Sequence, residues 1–408
     1  MTASAALEGG PVSRAERSFP CLDGARAIAA TAVVGTHVSF WAGDQNPELL
    51  GRIWSRLEIG VPIFFVLSGF LLSRPLFLAA ARGRPIPRTQ AYLWRRALRI
   101  LPAYWVTVTA AFLLLPGNAQ VGPEHWIRQF TLTQTYGANL FGEGLSHTWS
   151  LCTEVSFYLA LPLVGAGLVR LSRRRPERPT PALVAMAVAA VLGWVWLVVY
   201  RATDPTPVPM DLWLPTYAGW FGAGMTLAVL SVSDPTWRPV RIAGELGSSL
   251  ATCWSAAAVL FWLATSSLAG PVGLTDQTAA ESLTRNVLYM AVATFVVLPL
   301  VFGDQQAGIG RRILGSPPVV FLGEVSYGLF LIHVPVLVGG YALMGWVPFT
   351  GNIVLVFALV YLVSLALAAS LYFLVERPVR RWRDLVPADR ATNNSGAVTV
   401  ASAASTST

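Results

Sequence analysis

Ten long apolar runs restrict the possible folds of this chain more than any other feature of its sequence. Each run has few charges and roughly the 20 residues that an α-helix needs to cross the hydrocarbon core of a bilayer. The runs lie at residues 25–41, 58–80, 92–115, 148–170, 181–200, 212–232, 250–269, 284–303, 319–340 and 352–375. They are continuous rather than alternating, so β-strands are not predicted. The sequence therefore predicts an all-α fold, a polytopic bundle of about ten transmembrane helices in the cell membrane.

The distribution of positive charge predicts the orientation of this bundle. The 408 residues are only 12% charged, which is too little to cover a soluble protein of this size. All 29 basic residues are Arg, and 24 of them lie in the termini and in the loops after even-numbered spans. Because Arg accumulates on the cytoplasmic side, both termini are predicted to be cytoplasmic. Membrane topology accounts for the net charge of +8, so nucleic-acid binding is not predicted.

The apolar runs delimit one domain. We expect a transmembrane domain at residues 19–385, between an N-terminal tail at 1–18 and a C-terminal tail at 386–408. Both tails are rich in small and polar residues and have little to bury, so they are expected to be disordered. Neither a cleavable signal peptide nor a further soluble domain is expected, because no stretch of either kind is visible.

No bound cofactor or metal is predicted. Cys21, Cys152 and Cys253 are isolated, so they indicate neither a disulfide framework nor a zinc site. No helix supplies two metal ligands three or four residues apart, and no nucleophile elbow or phosphate-binding Gly-rich loop is present. The chemistry must therefore come from polar side chains within or beside the helices.

Ionisable side chains within spans are costly and usually mark function. His37 follows Arg26 by 11 residues in the first span, so the two share one helix face. Glu154 lies nearly two turns into the fourth span, on the same face as His147 and Tyr158. Each also has a structural interpretation: Arg26 as an orientation anchor, His37 as a hydrogen-bonding residue and Glu154 as a link between helices.

Two more spans carry polar groups at matching positions. Arg95, Arg96 and Arg99 form a cluster at the start of the third span, which suits phosphate groups but also suits simple anchoring. In the ninth span, Ser326 and His333 lie seven residues apart on one face. His37, Glu154 and His333 are expected at similar depth in three helices, which predicts a shared polar cavity.

These motifs resemble those of the acyltransferase family 3 membrane proteins. The matching residues are Arg26 with His37; Ile63 to Leu71; Arg95, Arg96 and Arg99 with Pro102 and Tyr104; His147 to Glu154 with Phe157 and Tyr158; Ser326, Tyr327 and His333; and Glu376, Arg377 and Pro378. The resemblance covers residues 20–383. It departs at Val155, where the family often has a second Glu, so no role is transferred to that position.

The resemblance implies ten membrane helices and an enzyme that transfers an acetyl or other short acyl group from acyl-CoA. The implied acceptor is a sugar hydroxyl, on a glycosylated small molecule such as a macrolide antibiotic or on a cell-envelope carbohydrate. We expect Arg26, Arg96 and Arg99 to bind the CoA phosphates. His37 is expected to act as general base, with Glu154 orienting its imidazole.

Ser326, Tyr327 and His333 are the predicted residues for acceptor binding or for stabilising the oxyanion. The expected partners are acyl-CoA, a sugar-bearing acceptor and the bilayer, and the oligomeric state is not predicted. Direct transfer and an acylated intermediate both stay open. The alternative function is a polytopic transporter without acyl-transfer chemistry, against which stands the absence of a recognisable inverted repeat.

Overall fold

A computed structural model describes residues 19–138, 141–203, 207–273 and 275–387. The α-helices in these ranges are α1 (Cys21–Trp41), α2 (Leu49–Arg56), α3 (Gly60–Ala81), α4 (Thr89–Leu114), α5 (Pro123–Phe130), α6 (Trp149–Leu171), α7 (Thr180–Ala202), α8 (Ala218–Val232), α9 (Arg238–Ser248), α10 (Leu250–Thr265), α11 (Ala279–Phe302), α12 (Gly308–Leu314), α13 (Pro317–Met344), α14 (Ile353–Leu371) and α15 (Arg377–Val379). Short 3-10 turns and one π-helical segment join them, and these ranges contain no strand. The predicted tail at 1–18 and nearly all of that at 386–408 lie outside the described residues.

Polar caps mark several helix boundaries. Thr278 accepts a hydrogen bond from the backbone N–H of Glu281, whose carboxylate accepts one from the Thr278 N–H, so a capping box begins α11. Ser249 and Asn352 cap α10 and α14 in the same manner with single bonds. At its other end, α13 stops at Gly345, which adopts the left-handed conformation at φ 63°.

The described chain has seven helical segments that are long and apolar enough to cross a membrane, or up to eight if the bent pair α9 and α10 forms one span. Each of the ten predicted spans coincides with an α-helix. However, α8 and α10 have only 15 and 16 residues, and α1 carries Arg26 and His37. The all-α, multi-pass membrane fold is thus confirmed, whereas the count of ten spans and the cytoplasmic termini stay predictions.

Contacts between helix ends divide the loops into two groups. Near the start of α4, Arg99 pairs with Glu376, which follows α14. Arg178 in the loop after α6 pairs with Asp234 in the loop after α8. At the other end, Arg56 donates to backbone carbonyls of the loop after α10. We name the end where α1 and α4 begin the arginine end.

Close backbone contacts fix α1 between α3 and α13. A Cβ atom on Gly60 of α3 would lie 2.2 Å from the carbonyl oxygen of Ala29, and one on Gly323 of α13 would lie 2.3 Å from that of Asp23. Small residues at helix interfaces permit such approach in membranes. Because both neighbours touch α1 this closely, polar side chains on the three helices are brought within reach of each other.

Candidate active site

A small cavity of about 80 Å³ lies among α1, α3, α4, α6 and α13. We name it the arginine cavity. Its polar lining residues are Arg26, Ser68, Arg96, Arg99, Ser150, Glu154, Tyr158, Ser326 and Tyr327. The structure therefore brings together six of the eight residues predicted from sequence. The other two, His37 and His333, meet elsewhere.

The three arginines of the cavity differ in their surroundings. Nη1 of Arg99 donates to Oε2 of Glu376 at 2.7 Å, and Glu376 is only 2% exposed. Arg26 lies 3.6 Å from Asp23, which is partly exposed. The buried Nε of Arg96 has no hydrogen-bond partner among the described residues. An internal carboxylate thus holds Arg99 in place, while Arg96 retains donor capacity for an anion.

A local change of helix geometry brings Glu376 to Arg99. Residues Tyr372–Glu376 form a π-helical segment at the end of the last long helix. Such segments are rare and frequently occur at functional sites. Tyr372 in the same segment donates to Oε2 of Glu324 at 2.8 Å. The sequence motif of Glu376 marked the end of a span but did not reveal its pairing with Arg99.

Glu154 accepts a hydrogen bond from the hydroxyl of Ser68. Tyr158, one turn further along α6, lines the same cavity. No hydrogen bond joins Glu154 to His37 in the described ranges, so the predicted pairing of these two residues is not formed. Sequence reasoning missed Ser68, although it lies within the matched motif at Ile63–Leu71.

His37 belongs to a cluster of three histidines. Nδ1 of His37 lies 3.2 Å from Nε2 of His333. His147, in the 3-10 turn before α6, completes the cluster with its ring centroid 5.0 Å from that of His333 and 6.1 Å from that of His37. His147 and His333 are buried, whereas His37 is partly exposed. His147 was noted in its motif but not predicted as a site residue.

Backbone carbonyls fix the protonation pattern of this cluster. Nδ1 of His37 lies 2.8 Å from the carbonyl oxygen of Val33, which can only accept, so Nδ1 carries the proton. His333 donates in the same way through Nδ1, at 2.7 Å from the Phe330 carbonyl. Its Nε2 is then an acceptor for His37. In neutral His37 the lone pair is therefore on Nε2, which has no partner in the described chain.

Phe330 lies between the cluster and the arginine cavity. Its side chain lines the cavity, and its ring centroid is 5.1 Å from that of His147 and 6.0 Å from that of His333. Phe64 packs against it at 6.4 Å and lines the cavity as well. The cavity and the histidine cluster are thus neighbours separated by an aromatic side chain.

The predicted acceptor residues already use their hydroxyl protons. Ser326 donates to the Gly323 carbonyl at 2.7 Å, and Tyr327 donates to the Ile100 carbonyl at 2.9 Å. Neither proton is free for an oxyanion in this arrangement. Over the described ranges, no three His, Cys, Asp or Glu side chains are grouped as ligands for a metal ion.

Comparison with known proteins gives a family match over most of the chain. Residues 19–373 match the family model described as an acyltransferase domain, acyltransferase family 3. No solved structure matches.

Three relatives show how much of each chain the similarity covers. The O-acetyltransferase OatA of Staphylococcus aureus is 24% identical over 381 residues, which cover 90% of this chain and 58% of OatA. Acyltransferase MdmB of Streptomyces mycarofaciens is 28% identical, over 80% of this chain and 81% of MdmB. The putative peptidoglycan O-acetyltransferase YrhL of Bacillus subtilis is 27% identical, over 89% of this chain and 55% of YrhL. The chain thus spans little more than half the length of OatA and YrhL.

Proposed function

This chain belongs to acyltransferase family 3, and on that basis we propose that it is a membrane O-acyltransferase. It transfers an acetyl or other short acyl group from acyl-CoA to a sugar hydroxyl. The sugar belongs to a glycosylated small molecule such as a macrolide, or to a cell-envelope carbohydrate. Relatives named as O-acetyltransferases, one of them for peptidoglycan, support this class of reaction.

In the proposed topology, the ten spans cross the membrane with the arginine end in the cytoplasm. The excess of Arg in the loops of that end supports this orientation. Acyl-CoA is a large anion that does not cross bilayers, so its binding site must open to the cytoplasm. Arg26, Arg96 and Arg99 line the arginine cavity from the helices α1 and α4, which begin at that end.

The convergence of Arg26, Arg96 and Arg99 on one cavity is the observation that carries the proposal. Guanidinium groups bind phosphate oxygens through charge-assisted hydrogen bonds. A cavity of about 80 Å³ is far smaller than the roughly 300 Å³ at the lower limit of drug-sized pockets. Only the acyl end of the donor enters it, while the nucleotide stays at the mouth near the arginines.

For direct transfer, Nε2 of His37 removes the proton of the acceptor hydroxyl. The hydroxyl oxygen then bonds to the thioester carbonyl carbon, the C–S bond breaks, and the proton passes to the departing CoA sulfur. The contacts of His37 Nδ1 with the Val33 carbonyl and with His333 hold the ring in the required tautomer. In this route the reacting groups meet at Phe330, which separates the cavity from the cluster.

A route through an acylated intermediate has a candidate nucleophile in Ser68. Its hydroxyl already donates to Glu154, a base placed to accept the proton as the Ser68 oxygen bonds to the thioester carbonyl. Release of CoA thiol leaves an acyl ester on Ser68, which a sugar hydroxyl then attacks. Acyl label that stays on the denatured protein, and is absent from the Ser68→Ala variant, would distinguish this route from direct transfer.

The experiment that tests the function uses membranes containing this chain and acetyl-CoA labelled in the acetyl group. We expect label in a glycosylated macrolide or in an envelope carbohydrate, and at least about 100-fold less with the His37→Gln variant. Absence of label from every acceptor, with the chain correctly inserted, would overturn the enzymatic proposal. Movement of unmodified compound across the membrane would then favour the transporter.

A further inference from the structure

A second cavity of about 240 Å³ lies at the end opposite to the arginine end. It is formed where α3, α6, α8 and α11 begin and α7 ends. Val61 of α3 lines both this second cavity and the arginine cavity. The two cavities therefore approach each other from opposite ends of the bundle.

Charges in the second cavity are balanced, unlike those of the arginine cavity. Arg201 pairs with Asp211, and both line the cavity. Glu58 lies 3.5 Å from Arg285 and accepts a hydrogen bond from the Tyr289 hydroxyl at 2.9 Å. Two carboxylates thus face two guanidinium groups. Such a lining favours a neutral ligand with many hydroxyl groups over a phosphate.

Two buried polar atoms on this lining have no hydrogen-bond partner in the described chain. They are Oγ1 of Thr216, a residue only 3% exposed, and Nε of Arg201. Buried polar groups in proteins are nearly always satisfied, so such exceptions call for an explanation. A hydroxyl group of a bound ligand can both donate and accept. It could therefore accept a hydrogen bond from Nε of Arg201 or pair with Oγ1 of Thr216.

Aromatic rings form another part of the lining. Trp149, Tyr217 and Trp220 pack on each other, with centroids 5.3 Å apart for Trp149 and Tyr217 and 4.7 Å apart for Tyr217 and Trp220. A sugar ring presents C–H bonds on its faces and hydroxyl groups at its edge. Aromatic surface beside polar groups matches both parts of such a ring.

We infer that the second cavity binds the sugar ring of the acceptor, with Thr216, Glu58 and Arg285 contacting its hydroxyl groups. This inference rests on the proposed function, which it deepens by giving the acceptor a site. A volume of 240 Å³ is slightly below the roughly 300 Å³ of small drug-sized pockets, so one sugar ring enters and the rest of the acceptor stays outside. Acceptor and donor then enter from opposite ends of the bundle, through two cavities that share Val61 in their linings.

The test measures binding of tritiated methyl glycosides to the purified full chain in lipid nanodiscs by equilibrium dialysis. The probes are the methyl pyranosides of glucose, mannose and rhamnose. We expect saturable binding of at least one probe, weakened about 10-fold by Thr216→Val, because one hydrogen bond to a buried group corresponds to about that factor. Thr216→Ser keeps the hydroxyl and should bind like the wild type, and Glu58→Gln should weaken binding as well.

Binding of acetyl-CoA to the same preparations shows whether each variant is folded, and it should not change in Thr216→Val. The inference is overturned if no probe binds saturably, or if both Thr216→Val and Glu58→Gln bind as tightly as the wild type. Acyl transfer is assayed in parallel. Glycoside binding without transfer would contradict the proposed reaction while supporting this site, and transfer without glycoside binding would contradict this site alone.

Discussion

At the scale of single residues, the most informative atom is Nε2 of His37, which has no hydrogen-bond partner in the described chain. Its ring is held through Nδ1 by the Val33 carbonyl and by His333, so the lone pair on Nε2 points away from those contacts. A fixed tautomer is what a general base requires, because proton removal then needs no rearrangement of the ring. The fixed ring therefore makes His37 the first residue to test.

We expect His37→Gln to lower acyl transfer by about 100-fold to 10,000-fold, the range for loss of a general base. Acetyl-CoA binding should not change, because His37 does not line the arginine cavity. The measurement is transfer of labelled acetyl together with the dissociation constant for acetyl-CoA. His125→Gln is the matched control, since His125 lies on α5 outside the cluster. Equal activity of both variants would remove His37 from the mechanism.

Arg95 and Arg96 offer a second test, because they are neighbours with different surroundings. Arg96 lines the arginine cavity, whereas the side chain of Arg95 is 42% exposed and lies 4.0 Å from Asp384. A hydrogen bond to a charged group contributes about 1.5–3 kcal/mol, so Arg96→Gln should raise KM for acetyl-CoA by about 10-fold to 100-fold. Arg95→Gln should change it little. Similar effects of both substitutions would indicate general electrostatic attraction rather than a phosphate site.

Sequence reasoning predicted the polar residues of the site better than their partners. Helical periodicity shows which residues of one helix share a face, and this placed His37 and Glu154 on inward faces. It does not show which neighbouring helix that face meets. The contacts of α1 with α13 decide that His37 meets His333, and those of α3 with α6 decide that Glu154 meets Ser68. Such pairings depend on helix packing, which one sequence does not specify.

At the scale of helices, the π-helical segment Tyr372–Glu376 joins the end of the chain's last long helix to the start of α4. It directs the buried carboxylate of Glu376 toward Arg99. Arg99 also lies with its guanidinium carbon 5.8 Å from the centroid of the Tyr327 ring, on α13. One arginine thus links three helices around the arginine cavity.

Removal of this carboxylate by Glu376→Gln should lower the free energy of unfolding by up to about 3 kcal/mol, since it leaves a buried guanidinium unpaired. This expected loss of unfolding free energy is at the lower end of the range for a broken buried ion pair, because the Arg99 side chain is still 19% exposed. The midpoint of thermal unfolding in detergent measures the effect. Glu245→Gln is the control: its pair with Arg241 is long at 4.0 Å and exposed, so little change is expected. An unchanged midpoint for Glu376→Gln would contradict a structural role for the pair.

The interface of α3 with α8 depends on two glycines. A Cβ atom on Gly69 would lie 2.2 Å from the Phe221 carbonyl oxygen, and one on Gly224 would lie 2.0 Å from that of Val66. Since both contacts are to backbone, the helices themselves must move apart to admit a methyl group. Gly69 follows Ser68, so this interface also sets the position of the Ser68 hydroxyl, which donates a hydrogen bond to Glu154.

We therefore expect Gly224→Ala to destabilise the protein by about 1–3 kcal/mol through overpacking, despite the better helix propensity of Ala. Gly167→Ala on α6 should be neutral or slightly stabilising, because a Cβ atom there meets nothing within 4 Å. Thermal unfolding of the two variants in the same detergent compares them directly. A lower midpoint for Gly167→Ala than for Gly224→Ala would contradict this account of the interface.

At the scale of the whole molecule, the apolar runs predicted the long helices but not the short ones. A run of about 20 apolar residues has few stable arrangements in lipid other than a helix, so composition suffices there. The short helices α2, α5, α9 and α12 lie between the predicted spans and contain many polar residues. The 90° bend between α9 and α10 follows from tertiary contacts such as those of Arg311 with the carbonyls of Gly247 and Ser248. The Ser249 cap marks where α10 begins, but no local pattern in the sequence indicates the angle of that turn.

The orientation of the bundle determines which substrate reaches which cavity, and it can be tested with single cysteines. The three native cysteines are buried, so they give a low background for thiol labelling. Arg175→Cys lies in the exposed loop after α6 at the arginine end, and Thr275→Cys lies in the exposed loop before α11 at the other end. With a membrane-impermeant maleimide on intact cells, we expect label on Thr275→Cys alone. Arg175→Cys should be labelled only after the cells are permeabilised.

This result would place the arginine cavity toward the cytoplasm, where acyl-CoA is available, and the second cavity toward the outside. Labelling of Arg175→Cys alone in intact cells would reverse that assignment and separate the proposed phosphate-binding arginines from acyl-CoA. Labelling of both positions in intact cells would instead show an even number of crossings between them. The segment between the two positions contains the four helices α7, α8, α9 and α10, of which α9 and α10 form the bent pair. Only an odd number of crossings by this segment puts the two loops on opposite sides. Crossing by α7, α8 and α10, with α9 lying along the surface, is the odd number that the ten-span topology predicts, whereas crossing by α7 and by the bent pair as one span would put both loops on the same side.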